Sequence, residues 1–156
     1  MNNKIFKILI LIIPLLLIFG CNKKEEKQQE KGFKVEFQNI EITPGFIFDS
    51  KKIKEEADIS EIPNCAFGDT GIVYTYEELE ITTDKNNKIY SVYFISPNIT
   101  TKEGLSLGEE EEKIEELYGK DYKKNNNEYL YSKNGINLSI IVNNNLVKSI
   151  EYIKEG

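Results

Sequence analysis

Asn134-Gly135 is the feature that most restricts how this 156-residue chain can fold. Asn and Gly accept positive φ at both central positions of a two-residue hairpin turn whose twist matches paired strands. On either side, over Glu128–Ser132 and Ile136–Val142, apolar and polar side chains alternate. That period of two turns one face of each strand toward a core. A third run, Leu146–Ile153, follows a second turn at Asn143 to Asn145. The C-terminal part is therefore predicted to be an antiparallel meander.

Leu107, Ile114, Leu117 and Tyr118 recur at helical spacing, so a helix is predicted over Glu109 to Tyr118, stopped by Gly119. Glu109 to Glu112 crowd its first turn, where carboxylates meet the positive end of the helix dipole. Earlier, Asp49 or Ser50 can cap a helix through about Asp58 with Ile53 and Ala57 inward. Strands are predicted near Val35–Ile42, Asn64–Phe67, Ile72–Tyr76, Leu79–Thr83 and Ile89–Ile95. Thr43-Pro44-Gly45-Phe46-Ile47-Phe48 matches Lys102-Glu103-Gly104-Leu105-Ser106-Leu107 at a shift of 59, and Leu79 and Ile81 fall on Leu138 and Ile140. Two repeats, about 42–98 and 100–156, follow from that match. The expected fold class is α+β: an antiparallel sheet from two tandem helix-then-β-hairpin repeats, with helices on one face.

The N-terminus carries a different signal. Lys4 and Lys7 precede an apolar run from Ile8 to Phe19, and Asn22-Lys23-Lys24-Glu25-Glu26 ends it. This is the layout of a secretory signal, shorter than the roughly 20 apolar residues of a spanning helix. Ile18-Phe19-Gly20-Cys21 resembles the bacterial lipobox, with Phe19 in place of the usual small residue. The resemblance implies a signal peptide over 1–20 and lipid modification of Cys21. Residues 21–32 then form the lipidated Cys and a disordered tether with no apolar side chain from Asn22 to Gly32. The folded domain covers 33–156 with 14 Lys against 23 Asp and Glu, a net of −9. That balance favours solubility and repels anionic lipid.

Composition excludes several chemistries. The chain has no His, Arg or Trp, so His triads, His metal cages and Arg phosphate clamps are impossible. An acidic domain without Arg is a poor nucleic-acid binder. The Lys-, Asn-, Ile- and Glu-rich usage is typical of AT-rich bacterial genomes.

Asn64-Cys65-Ala66-Phe67, Val73-Tyr74-Thr75-Tyr76, Glu80-Ile81-Thr82-Thr83, Thr101-Lys102-Glu103-Gly104-Leu105-Ser106-Leu107-Gly108 and Leu117-Tyr118-Gly119 follow one another in an order that resembles a lipoprotein family of low-GC Gram-positive bacteria. The cover runs from about Ile42 to Ile153. The helix-then-hairpin pattern is also similar to the tandem domains of β-lactamase inhibitory protein, and more loosely to small lipoproteins of outer-membrane assembly. These likenesses imply a non-catalytic binding module and transfer no target.

Candidate sites are few. With Cys21 lipidated, Cys65 is the remaining thiol, and without a His to activate it a small buried hydrophobe is the simpler reading. The acidic run Glu109 to Glu112 with Glu115 and Glu116 fans around a helix instead of converging on a cation. Asp84-Lys85-Asn86-Asn87-Lys88 opens like a calcium loop but has Ile89 where the sixth-place Gly belongs and Ile95 at the twelfth. No cofactor is implied. Tyr74 and Tyr76 share one strand face, as do Tyr129 and Tyr131. They either fill core with the hydroxyl reaching water or build an aromatic platform for a partner. Leu79, Ile81, Leu138 and Ile140 already supply an apolar surface for helices, which places the tyrosines on the open side of the sheet. The leading function is a lipid-anchored, extracytoplasmic, monomeric binding module for an envelope or extracellular protein. The alternative is a small cell-envelope hydrolase or metal-assisted enzyme.

Overall fold

The computed structural model describes residues 32–64 and 69–156. The signal segment, Cys21, the tether up to residue 31 and Cys65 lie outside the described residues. Asparagine-based turns set the strand pairing. Asn134 and Gly135 have φ of 53° and 75°, and Asn144 and Asn145 have 54° and 59°, as a turn with two left-handed central residues requires. A third turn of this kind, at Gln38 and Asn39 with φ of 51° and 65°, splits the expected strand Val35–Ile42 into a hairpin.

That hairpin consists of β1 (Val35–Phe37) and β2 (Ile40–Ile42). The main sheet contains β3 (Asp58–Asn64), β4 (Asp69–Thr75), β5 (Leu79–Thr83), β6 (Ile89–Phe94), β7 (Lys123–Asn125), β8 (Glu128–Lys133), β9 (Ile136–Asn143) and β10 (Leu146–Lys154). Its order is β3-β4-β5-β6-β10-β9-β8-β7. Two four-stranded meanders therefore meet at the centre, where Tyr93 of β6 faces Glu151 of β10. The edges carry polar protection against further pairing: Pro63 and Glu61 on β3, Lys123 and Lys124 on β7.

One face of this sheet holds the core. Leu79, Ile81, Val92, Phe94, Leu138, Ile140, Ile150 and Tyr152 are fully buried. Phe33, Val35, Phe37, Phe48, Leu105 and Ile114 belong to the same cluster and come from the N-terminal segment, two loops and α1 (Glu112–Tyr118). Phe33 stacks on Tyr152 with ring centroids 5.9 Å apart, so the N-terminal segment is sealed onto the central strand.

The α+β expectation of two tandem helix-then-hairpin repeats is corrected: the domain is mostly β, and α1, with 7 residues, is the one α-helix among the described residues. The first expected helix is a 3-10 turn at Ser50–Lys52. Asp49 does accept a hydrogen bond from the Lys51 amide at 3.3 Å, but Ile53 is already extended. Among Ser50 to Glu56 only Ile53 is buried, too little apolar surface to hold a helix on a sheet. The second helix starts three residues later than expected because the chain before it pairs with β10. The Gly108 amide donates to the Val147 carbonyl at 2.8 Å, and the Val147 amide donates to the Glu109 carbonyl at 2.8 Å. Among the described residues no helix is long and apolar enough to cross a membrane.

Candidate functional site

The four tyrosines singled out by sequence lie on the core face, not the open one. Tyr74, Tyr76, Tyr129 and Tyr131 are 8%, 3%, 4% and 4% exposed. Cross-strand pairing dictates this, because directly opposed residues share a face. Tyr74 is opposite Ile81, Tyr129 opposite Ile140 and Tyr131 opposite Leu138. Their rings extend the aliphatic centre outward and meet aromatic cover. Phe48 packs edge-on against Tyr74 at 5.0 Å, and Phe37 lies tilted against Tyr76 at 5.3 Å. Tyr122 meets Tyr129 at 4.8 Å, and Tyr118 meets Tyr131 at 5.4 Å. The expectation of an open tyrosine platform is therefore corrected.

The tyrosine hydroxyls and the acidic residues in and just before α1 satisfy one another. Tyr129 donates to Glu111, and Lys124 donates to Glu111 at 3.0 Å while its ammonium lies 4.1 Å from the Tyr129 ring centroid. Tyr122 donates to Glu115 at 2.6 Å, and Tyr131 to the Gly119 carbonyl at 2.9 Å. Hydrogen bonds with Tyr129 and Glu111 hold the Lys124 pKa above its usual range, so this amine stays a cation. Burial raises Tyr129 and pushes Tyr131 up to about 12, so neither supplies a phenolate near neutral pH. Chemically the cluster fastens α1 and β7 to the sheet. Glu109 is likewise used locally: it accepts from the Ser106 amide at 3.1 Å and pairs with Lys113. Asp84 accepts from the Asn86 and Lys88 amides at 2.8 and 2.9 Å, so the segment that opens like a calcium loop is an Asx turn. Among the described residues no three His, Cys, Asp or Glu side chains converge as metal ligands.

The other face of the sheet is the open side, and the residues it carries are not the tyrosines expected there. No described element packs on it. One row across it runs Thr75, Glu80, Tyr93, Glu151, Ser139, Leu130 and Lys123 from β4 to β7. A neighbouring row includes Val73, Thr82, Ser91 and Ile153. Val73, Thr82, Ser91 and Ser139 are small and buried, whereas the larger Tyr93, Leu130, Ile141 and Ile153 are half-buried. Glu151 sits at the centre. Burial raises its carboxyl pKa, the Ser91 hydroxyl pulls it back down, and the Glu80 charge adds to the rise. Glu128, on the same face, accepts from the Ser139 hydroxyl at 2.6 Å. The arrangement is an apolar shelf around a partly desolvated carboxylate, with acidic neighbours. Its sequence signal is the acid in Ile150-Glu151-Tyr152-Ile153, which alternation sends away from the core. No family model, no curated protein and no solved structure matches this chain.

Proposed function

We propose that this chain is a membrane-anchored extracytoplasmic lipoprotein, held through lipid on Cys21, that acts as a non-catalytic binding module through the open face of its sheet. The observation that carries the binding role is the shelf of Tyr93, Leu130, Ile141 and Ile153 around Glu151, on which no described element packs. Eight strands spaced about 4.8 Å apart give a face about 34 Å across, the scale of one side of an ordinary protein–protein interface. Glu80, Glu128 and Glu151 on that face favour a partner that brings Lys or Arg against an apolar surround. The partner is an envelope or extracellular protein. The domain itself stays monomeric, since −9 of net charge opposes self-association.

Two measurements test the reading. Metabolic lipid labelling with cell fractionation should show labelled, membrane-retained wild type and an unlabelled, released Cys21→Ala variant. Crosslinking on intact cells should capture a protein that Ile141→Asp and Glu151→Lys variants, folded by circular dichroism, fail to capture. Wild-type-like capture by both variants would sink the open-face assignment.

A further inference from the structure

We propose that the lysine-rimmed groove where the chain emerges at Gly32, with the Phe46-Ile47 loop tip beside it, docks the domain onto an anionic lipid surface. The inference rests on the membrane-tethered reading above. The groove lies at the end of the sheet formed by the β8–β9 turn, the start of β6 and the end of β10. Lys34, Lys88, Lys102, Lys133 and Lys154 line it against three acids, Glu103, Asp121 and Glu155. This end thus carries more lysines than acids in a domain whose net charge is −9. Lys34 pairs with Glu41, and Glu103 accepts from Tyr118 at 3.2 Å. Among the described residues no ion pair engages Lys88, Lys102 or Lys154.

Apolar side chains accompany the cations. Phe46, on the groove wall, is 52% exposed and its neighbour Ile47 is 69% exposed. The loop that presents them is held by backbone hydrogen bonds: the Gly45 amide to the Ile89 carbonyl at 2.7 Å, the Phe48 amide to Asn87 at 2.7 Å, and the Ile89 amide to Phe46 at 2.8 Å. Such a loop loses little conformational freedom when it touches a surface. Lysines beside an exposed aromatic–aliphatic pair match the boundary between lipid headgroups and acyl chains.

Where the chain leads from this point selects the occupant. Gly32 is wedged into the groove wall: a Cβ there would lie 2.7 Å from Ile136 Cδ1 and 2.8 Å from the Lys133 carbonyl oxygen. The 11 residues from Cys21 to Gly32 cannot span more than about 38 Å. A membrane-held Cys21 therefore keeps this groove within reach of the bilayer at high effective concentration. Salt screens charge beyond about 8–10 Å, so a headgroup layer in contact feels this local cluster more than the distant acids.

Lysine-acylation footprinting of the full chain in vesicles tests the proposal. On vesicles containing one-third phosphatidylglycerol, Lys88, Lys102, Lys133 and Lys154 should be acylated at least threefold more slowly than on pure phosphatidylcholine. Lys148, at the far end of β10, should be unchanged, and half-molar salt should abolish the protection. Equal labelling on both vesicles would overturn the proposal. So would equal protection by millimolar inorganic phosphate on phosphatidylcholine, which would make the groove a site for free phosphate. The same footprint on a Cys21→Ala chain mixed with the same vesicles would support the docking face even if the lipid label failed.

Discussion

Replacing Tyr74 and Tyr129 together by Ala should unfold the domain. Each ring is a core element on an outer strand. Large aromatic-to-Ala changes in cores cost about 3–5 kcal/mol. Tyr74 also loses its edge-on contact with Phe48 at 5.0 Å, and Tyr129 its contact with Tyr122 at 4.8 Å. Removing Tyr129 strips a hydrogen-bond partner from Glu111 and from Lys124 as well. Strands β4 and β8 are five neighbours apart in the sheet, about 24 Å, so the two losses should add. The sum, about 6–10 kcal/mol, equals or exceeds much of the 5–15 kcal/mol that ordinarily separates folded from unfolded states. Urea titration followed by circular dichroism measures each single variant and the pair. Tyr129→Phe should lose only about 1–2 kcal/mol, because the ring stays and the hydroxyl goes. A double variant that keeps a cooperative transition and loses under about 2 kcal/mol would refute the core assignment of both rings.

Other outcomes follow from single contacts. Gly32→Val should cost about 1–3 kcal/mol or free the N-terminal segment, because the Lys133 carbonyl at 2.8 Å is backbone and cannot simply swing aside; urea midpoints against wild type check it. Glu151→Gln should raise stability at neutral pH. Burial raises the folded-state pKa of Glu151 above its unfolded value, so its ionisation lowers stability as pH rises from the ordinary carboxyl range through the raised folded value. Urea midpoints from acid to neutral pH should show that decline in wild type and lack it in the variant. Asp84→Ala should loosen the β5–β6 turn by about 1 kcal/mol, with faster amide exchange at Asn86 and Lys88.

Much of the sheet was legible. β5, β8, β9 and β10 fall within a residue or two of their predicted bounds because alternation and Asn-rich turns act over short stretches of chain. The helices were less so. A helical stripe at Leu107 to Tyr118 does not reveal that Gly108 and Glu109 will bond instead to Val147, some forty residues away. Nor does Gln38-Asn39 announce a hairpin turn as Asn134-Gly135 does, since neither residue is Gly. The tyrosine faces were legible and misread. A two-residue turn at Asn134-Gly135 pairs Lys133 with Ile136, and counting outward puts Tyr131 on Leu138 and Tyr129 on Ile140. Partners across a ladder share a face, so the aliphatic and aromatic positions could not have been divided between helix side and open side.

The same counting shows why the open face had to be sought through its acids. On β10 the residues alternating with Ile150 and Tyr152 are Glu151 and Ile153, and on β6 the residue facing Glu151 is Tyr93. A solvated sheet face ordinarily carries a clean polar set. Here Ile153, Ile141 and Leu130 are apolar, and the acid at their centre sits where its charge is penalised by burial. An Ala or Ser at 151 would fold as well without that cost, so stability does not account for a carboxylate there. A cation delivered by a partner would remove the penalty, and binding would then draw Glu151 toward its charged form. Affinity should therefore weaken as pH falls through the raised pKa of Glu151, and Glu151→Gln should flatten that dependence. A partner whose binding to wild type is insensitive to pH from 4 to 8 would show that the carboxylate takes no part in recognition.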